Sequence, residues 1–206
     1  MLKNIRLKLR DHLFRRILFP RFLRREIRPG DIVIDCGANI GEFTDLFARY
    51  GAVVHAFEPH PIAFEKLRQR FEGTPNVHCY NQAVSNLQGT LPLFLRTDDS
   101  DPIGAIESSS IMPEKDNVSK ENFINVEVIR FVDFISKFDR IKIIKMDIEG
   151  AEYKVIPDTI NSGVLLKVDH FLVETHERLP GFKEMHDALV RLIATKKATN
   201  FDLTWH

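Results

Sequence analysis

Four short stretches of this chain gather residues whose types and spacing could do chemistry. The first is Asp35-Cys36-Gly37-Ala38-Asn39-Ile40-Gly41, directly after an apolar run and before a helical pattern. Glycine there permits a tight turn and the close approach of a ligand, and the helix that follows offers N–H groups without intrahelical partners. The spacing is not the dinucleotide fingerprint G-x-G-x-x-G, because Asn39 and Glu42 stand where the second and third glycines belong. Glu42 at the helix start would also repel a pyrophosphate; a neutral-to-cationic ligand tolerates these acidic surroundings. The second stretch is Phe57-Glu58-Pro59-His60-Pro61. Glu58 ends a strand about 20 residues after Gly37, where an acid commonly accepts hydrogen bonds from the vicinal hydroxyls of a ribose. Its alternative role is an exposed N-cap acid.

The third stretch, Lys145-Met146-Asp147-Ile148-Glu149-Gly150-Ala151-Glu152, sets three acids at the end of a β-branched strand. In open α/β sheets the ligand crevice lies at that end. Some of these acids would instead complement a helix N-terminus, Glu152 first among them. The fourth stretch is Glu174-Thr175-His176-Glu177, in which Glu174 and His176 are two apart and face one side. A histidine there could accept a proton from a hydroxyl, or be a satisfied structural histidine. Asp147 with Glu174 could hold a hard divalent cation, but no group has zinc spacing, and no metal is assigned.

The elements that must position these residues follow a strand–helix rhythm. Ile32 to Cys36, Val53 to Phe57 and Val77 to Tyr80 read as short buried strands, with helices over Glu42 to Tyr50 and Pro61 to Phe71 between them. That βαβαβ pattern specifies a parallel sheet covered on both faces. Further on, Thr90 to Leu95 and Val126 to Ile129 read as strands, Phe131 to Phe138 as a short helix, Ile141 to Met146 and Val168 to Val173 as strands. Helices are expected from about Ala151 and over Phe182 to Thr195, with a last strand over Phe201 to Trp205. Residues 96–122 are polar and irregular, either disordered or a lid over an acceptor. The fold class is therefore α/β, a doubly wound, mostly parallel, Rossmann-like sheet.

Ahead of that domain, residues 2–28 read as one or two basic amphipathic helices. Ile5, Leu9, Leu13 and Ile17 share a face that Phe14, Leu18 and Phe22 widen, and Pro20 divides or kinks the segment. Residues 1–28 carry ten Lys/Arg against Asp11 and Glu26, leaving 19 basic and 27 acidic residues for 29–206. An acidic body disfavours a nucleic-acid partner along its main face. Two cysteines, Cys36 and Cys79, are too few for a disulfide framework and suit a reducing, cytoplasmic setting. The basic segment would cap the cleft, lie peripherally on an anionic inner-membrane face, or dock a partner protein.

The run Ile143-Ile144-Lys145-Met146-Asp147-Ile148-Glu149-Gly150-Ala151-Glu152, with Val126 to Asp133 ahead of it, resembles the L-L-K-x-D-x-E-G-x-E signature of the FkbM family of class I S-adenosylmethionine (SAM)-dependent methyltransferases. The resemblance runs from about Pro29 to Glu177. It implies a seven-stranded sheet with SAM across the C-terminal strand ends. Asp35, Gly37, Asn39 and Gly41 would line the methionine end, Glu58 would hold the ribose, and Gln82 or Ala83 would border the adenine. Asp147 and His176 would face the reacting centre. The implied acceptor is a hydroxyl of a sugar, glycan, polyketide or other polyhydroxylated metabolite, with His176 as first choice of base and Asp147 as second. The chain has one candidate strand where the fold's last β-hairpin belongs, and the basic segment lies outside the resemblance. A ribose 2′-hydroxyl methyltransferase acting on RNA and a catalytically silent SAM-binding scaffold are the alternatives. The chain has no N/D-P-P-Y/F/W loop and no Pro-Cys nucleophile, as base methylation would need.

Overall fold

In the computed structural model, residues 17–96, 109–115, 118–203 and 205 are described. The apolar β-branched runs form the strands they predict: β1 (Ile32–Cys36), β2 (Val53–Phe57), β3 (Val77–Tyr80), β7 (Ile141–Met146), β8 (Val168–Val173) and a two-residue β9 (Phe201–Asp202). Together they make one sheet in the order β3-β2-β1-β7-β8-β9, and every neighbouring pair is parallel. The sheet thus has six strands among the described residues, not seven. β1 lies between β2 and β7, so the strand order reverses at β1. A crevice opens at such a switch point, outside the carboxyl ends of the strands.

Helices cover both faces, which is why the strands carry so little polar alternation. On one side α1 (Phe19–Glu26) and α2 (Glu42–Arg49) pack Phe19, Leu23 and Phe47 against Val33, Val54, Ile143 and Leu172. α3 (Pro61–Arg70) joins that side through Ala63 and Leu67. On the other side α4 (Phe131–Ile135), α5 (Glu152–Ser162) and α6 (Lys183–Lys196) bury Phe131, Val155, Ile156 and Leu189 against Ile34, Ile144, Met146 and Phe171.

In α1, Pro20 occupies the first turn, where a missing N–H is harmless. The buried positions are Phe19, Leu23 and Ile27, whereas Ile17 and Leu18, expected on the packed face, are 41% and 49% exposed. The reason is aromatic: Phe19 meets Phe43, Phe47 and Trp205, and Phe22 lies against His170. The rest of the predicted amphipathic segment, residues 1–16, lies outside the described residues.

A second sheet, unanticipated as a unit, stands beside the first. β4 (Ala83–Ser85) pairs parallel with β6 (Val118–Arg130), and β5 (Gly89–Arg96) pairs antiparallel with β6. The strand expected over Val126 to Ile129 is therefore far longer. Its first half, Ser119 to Phe123, is largely solvent-facing and polar, so it carries no apolar signal. Of the segment 96–122, residues 97–108 and 116–117 lie outside the described residues, so the lid expectation there is untouched. Residues 109–115 instead return to the core: Ser110 bridges Phe94, and Met112 is buried.

Candidate active site

The loop after β1 is shaped by packing. Gly37 and Gly41 have φ of 77° and 86°, a region that favours glycine. A Cβ on Gly37 would stand 1.8 Å from the backbone oxygen of Asp147, and one on Gly41 would meet Phe71 and Leu67. The close approach that requires Gly37 is thus that of β7's own continuation. Backbone bonds clip the loop in place: Gly37 and Ala38 N–H donate to Phe57 O, and Asp147 N–H donates to Cys36 O at 3.1 Å. Asn39 also takes a left-handed conformation, φ 49°.

This loop walls a cavity of about 410 Å³ at the carboxyl ends of β1, β2, β7 and β8. Gly37, Ala38 and Asn39 form one side. Glu58, at the end of β2, projects into it while its Oε2 accepts the Asn39 N–H and its Oε1 the His60 N–H, each at 2.8 Å. Burial pushes Glu58 up to about 7 against the pull of those two N–H donors. Each carboxylate oxygen keeps a further lone pair for a hydroxyl donor. Ala83, Val84 and Leu93 form an apolar side.

Three residues expected at the donor stand behind the wall or beside it. Asp35 is fully buried, accepts the Thr44 Oγ1 hydrogen at 2.7 Å and pairs with Lys145 at 3.3 Å. Gly41 caps α2 and packs on α3, away from the cavity lining. Gln82 turns outward and donates to Glu127 Oε2, so Ala83 and Val84, not Gln82, border that end. The causes are a salt bridge, a helix contact and a cross-strand partner, none of which the local sequence displays.

At the opposite end Asp147, Glu149 and Glu174 line the cavity beside Lys145. Asp147 and Glu174 follow the paired residues Met146 and Val173 directly, so they sit side by side at the ends of β7 and β8. Burial raises both carboxyls, and Glu174, further raised by the charge of Asp147, reaches about 7. His176 lies just beyond. Its Nδ1 is 2.8 Å from Glu152 Oε1 and its Nε2 is 3.2 Å from Glu149 Oε2 and 3.9 Å from Asp147 Oδ1. Burial opposes the imidazolium, but Glu149 and Glu152 together lift its pKa to about 10. That lift favours the protonated ring, and both nitrogens face carboxylates, an arrangement different from the neutral base expected from the sequence.

Glu152, expected as a helix-start charge, is fully buried and does two things. Its Oε2 accepts the Gly150 N–H at 2.8 Å, and its Oε1 holds His176. It thereby orients the His176 ring. Lys115, 3% exposed, meets Glu149, and with His176 it holds that carboxylate below its usual range against burial. Asp147, Glu149 and His176 bring potential ligand atoms within 4.8 Å of one another, a different set from Asp147 with Glu174. The residues reasoning from sequence left without a role are Lys145, Glu149, Lys115 and Ser110. Only Lys145 and Glu149 carried any signal, as members of the acidic motif.

The donor set fits SAM. A carboxylate with free lone pairs faces the cavity where a ribose diol would bond, an apolar side suits a flat base, and the surplus of acids near Asp147 suits a sulfonium.

The chain matches the methyltransferase FkbM domain model over residues 35–202. It is 53% identical over 62 residues to 31-O-demethyl-FK506 methyltransferase FkbM of Streptomyces tacrolimicus, covering 27% of this chain and 24% of that protein. It is 28% identical over 139 residues to 2-O-methyltransferase NoeI of Sinorhizobium fredii, covering 63% and 57%. Over 159 residues it is 26% identical to the hexuronic acid methyltransferase AglP of Haloferax volcanii, covering 76% and 60%. The chain thus spans less than two thirds of the length of each of these relatives. Among solved structures, an rRNA methylase from Streptococcus thermophilus superposes with a TM-score of 0.47 at 12% identity, covering 86% of this chain and 76% of the other. No described helix is long and apolar enough to cross a membrane.

Proposed function

This chain belongs to the FkbM methyltransferase family, and on that premise we propose that it transfers the methyl group of SAM to a hydroxyl of a sugar, glycan or related polyhydroxylated metabolite. The observation that carries this is the single cavity lined both by Glu58 and by the Asp147–Glu174 pair. A ribose-binding acid and proton-accepting acids thereby face one space.

When bound, SAM supplies a methyl group on a sulfonium, whose departure needs no acid. The protein's own work is positional. The clipped loop from Gly37 to Asn39 and the carboxylate of Glu58 orient the donor, which by holding the reacting atoms in line is worth about 7–11 kcal/mol. The acceptor's hydroxyl proton passes to the Asp147–Glu174 pair: burial raises both carboxyls, and Glu174, at about 7, matches a working pH near neutrality. His176, a fixed positive charge braced by Glu149 and Glu152, keeps those acids in place and is not itself the base. The names of two relatives, the 2-O-methyltransferase NoeI and the 31-O-demethyl-FK506 methyltransferase FkbM, support an oxygen acceptor.

The test is calorimetry with S-adenosylhomocysteine (SAH), followed by transfer of labelled methyl from SAM to a panel of sugars and glycans. SAH should bind, and Glu58→Ala should weaken it by roughly tenfold or more through loss of a charge-assisted bond pair. A wild-type protein that ignores SAH and is saturated by NAD would overturn the reading.

A further inference from the structure

Lys145 is 2% exposed, yet it borders the cavity. Its ammonium donates to Gly37 O at 2.7 Å and to Cys36 O at 3.4 Å, and lies 3.3 Å from Asp35 Oδ1 and 3.9 Å from Asp147 Oδ2. The rings of Phe43 and Trp205 close over it at 5.6 and 5.8 Å. Asp35 and Lys145 are register partners on β1 and β7, so the two side chains leave the sheet on one face. A buried ammonium persists only when it is paired and hydrogen-bonded. Here the groups that satisfy it belong to the turn entering the cavity and to the acid across from it.

We propose that Lys145 is a positioning residue for the methyl donor: its ammonium holds the Cys36–Gly37 turn against Asp147 and so sets the spacing between the donor loop and the proton-accepting end. The backbone tie between these two strand ends is the bond from Asp147 N–H to Cys36 O. That bond ties Cys36 to β7, and the Gly37 and Ala38 N–H groups tie the turn to Phe57 on β2; Lys145, through the Gly37 oxygen, adds the side-chain tie from β7 to the same peptide. This role rests on the reading of the cavity as a SAM site.

Trp205 is the one tryptophan in the sequence, so it reports on this contact. SAH is titrated into the wild-type protein, Lys145→Met and Lys145→Arg, with affinity read by calorimetry, Trp205 emission by fluorescence and folding by thermal melt. Expected are a wild-type emission shift on binding, roughly tenfold or weaker affinity in folded Lys145→Met with the shift lost, and recovery of most of the affinity in Lys145→Arg. A purely structural lysine would lower the melt and leave the affinity of the folded fraction intact. Wild-type affinity and an unchanged shift in Lys145→Met therefore overturn the role, as does an arginine variant no better than the methionine one. Should Lys145→Met not fold, Asp35→Asn/Lys145→Met removes the uncompensated acid and is read by the same criterion. Absence of SAH binding by the wild-type protein sinks the donor reading itself, and this role with it.

Discussion

At His176 burial alone would favour the neutral ring, yet the two carboxylates meeting its nitrogens prevail. The folded protein holds that proton up to about pH 10, whereas an exposed histidine releases it near 6.5. The stabilisation is complete below pH 6.5, declines as the unfolded chain deprotonates, and is gone above about 10. Glu58 and Glu174, raised to about 7, act with the same sign in a lower window: the folded state keeps their protons longer, so stability falls between about 4.5 and 7. Thermal melts across pH should therefore show a midpoint declining from 7 to 10 in the wild-type protein. That decline should flatten in His176→Gln. Parallel profiles for the two proteins would remove His176 as its source. That the histidine follows β8 on the same side as Glu174 is legible in the sequence from their spacing. Its charge is not, because Glu152 lies 24 residues away and reaches it only through folding. The same limit hid Lys145 behind Gly37, 108 residues distant, and turned Gln82 towards Glu127.

Among elements, the parallel strands could be read directly, since Ile32–Cys36, Ile141–Met146 and Val168–Val173 are apolar runs bounded by turn residues or charged ends. The second sheet could not. β4 is only three residues long, and the outer half of β6 faces solvent, so neither has a hydrophobic period to detect. What locks that sheet to the site is Ser110. Its backbone pairs with Phe94, its Oγ donates to Glu149 O at 2.6 Å, and the same Oγ accepts the Met112 N–H at 3.0 Å. It is 1% exposed. Ser110→Ala leaves both a carbonyl and an N–H buried without that partner, and should lower the unfolding free energy by about 1–3 kcal/mol. Urea denaturation checks this; a change within a few tenths of a kcal/mol would mean the second sheet is held by its apolar contacts, Leu93 with Val126 and Val128, instead.

For the whole molecule, charge and packing divide the N-terminal segment differently. By charge it is one basic unit ending near Arg28, which is how the sequence presents it. By packing, its described part belongs to the core, because Phe19, Leu23 and Ile27 are 2%, 0% and 4% exposed among residues that include Phe47, Val54 and Trp205. Burying three such side chains contributes roughly 5–9 kcal/mol, comparable with the ~5–15 kcal/mol that stabilises an ordinary domain. A chain beginning at Pro29 should accordingly fail to fold, while one beginning at Ile17 keeps all three side chains and should melt within a few degrees of the full chain. The shorter loss also removes six Lys/Arg and one Asp from the segment. If the segment lies on an anionic membrane surface, where each basic residue near the surface is worth about 1 kcal/mol, the chain from Ile17 should fold yet no longer co-sediment with anionic liposomes. Equal sedimentation of the two folded chains would exclude that surface role. A stable chain from Pro29 would instead show that α1 rests on the sheet without supporting it.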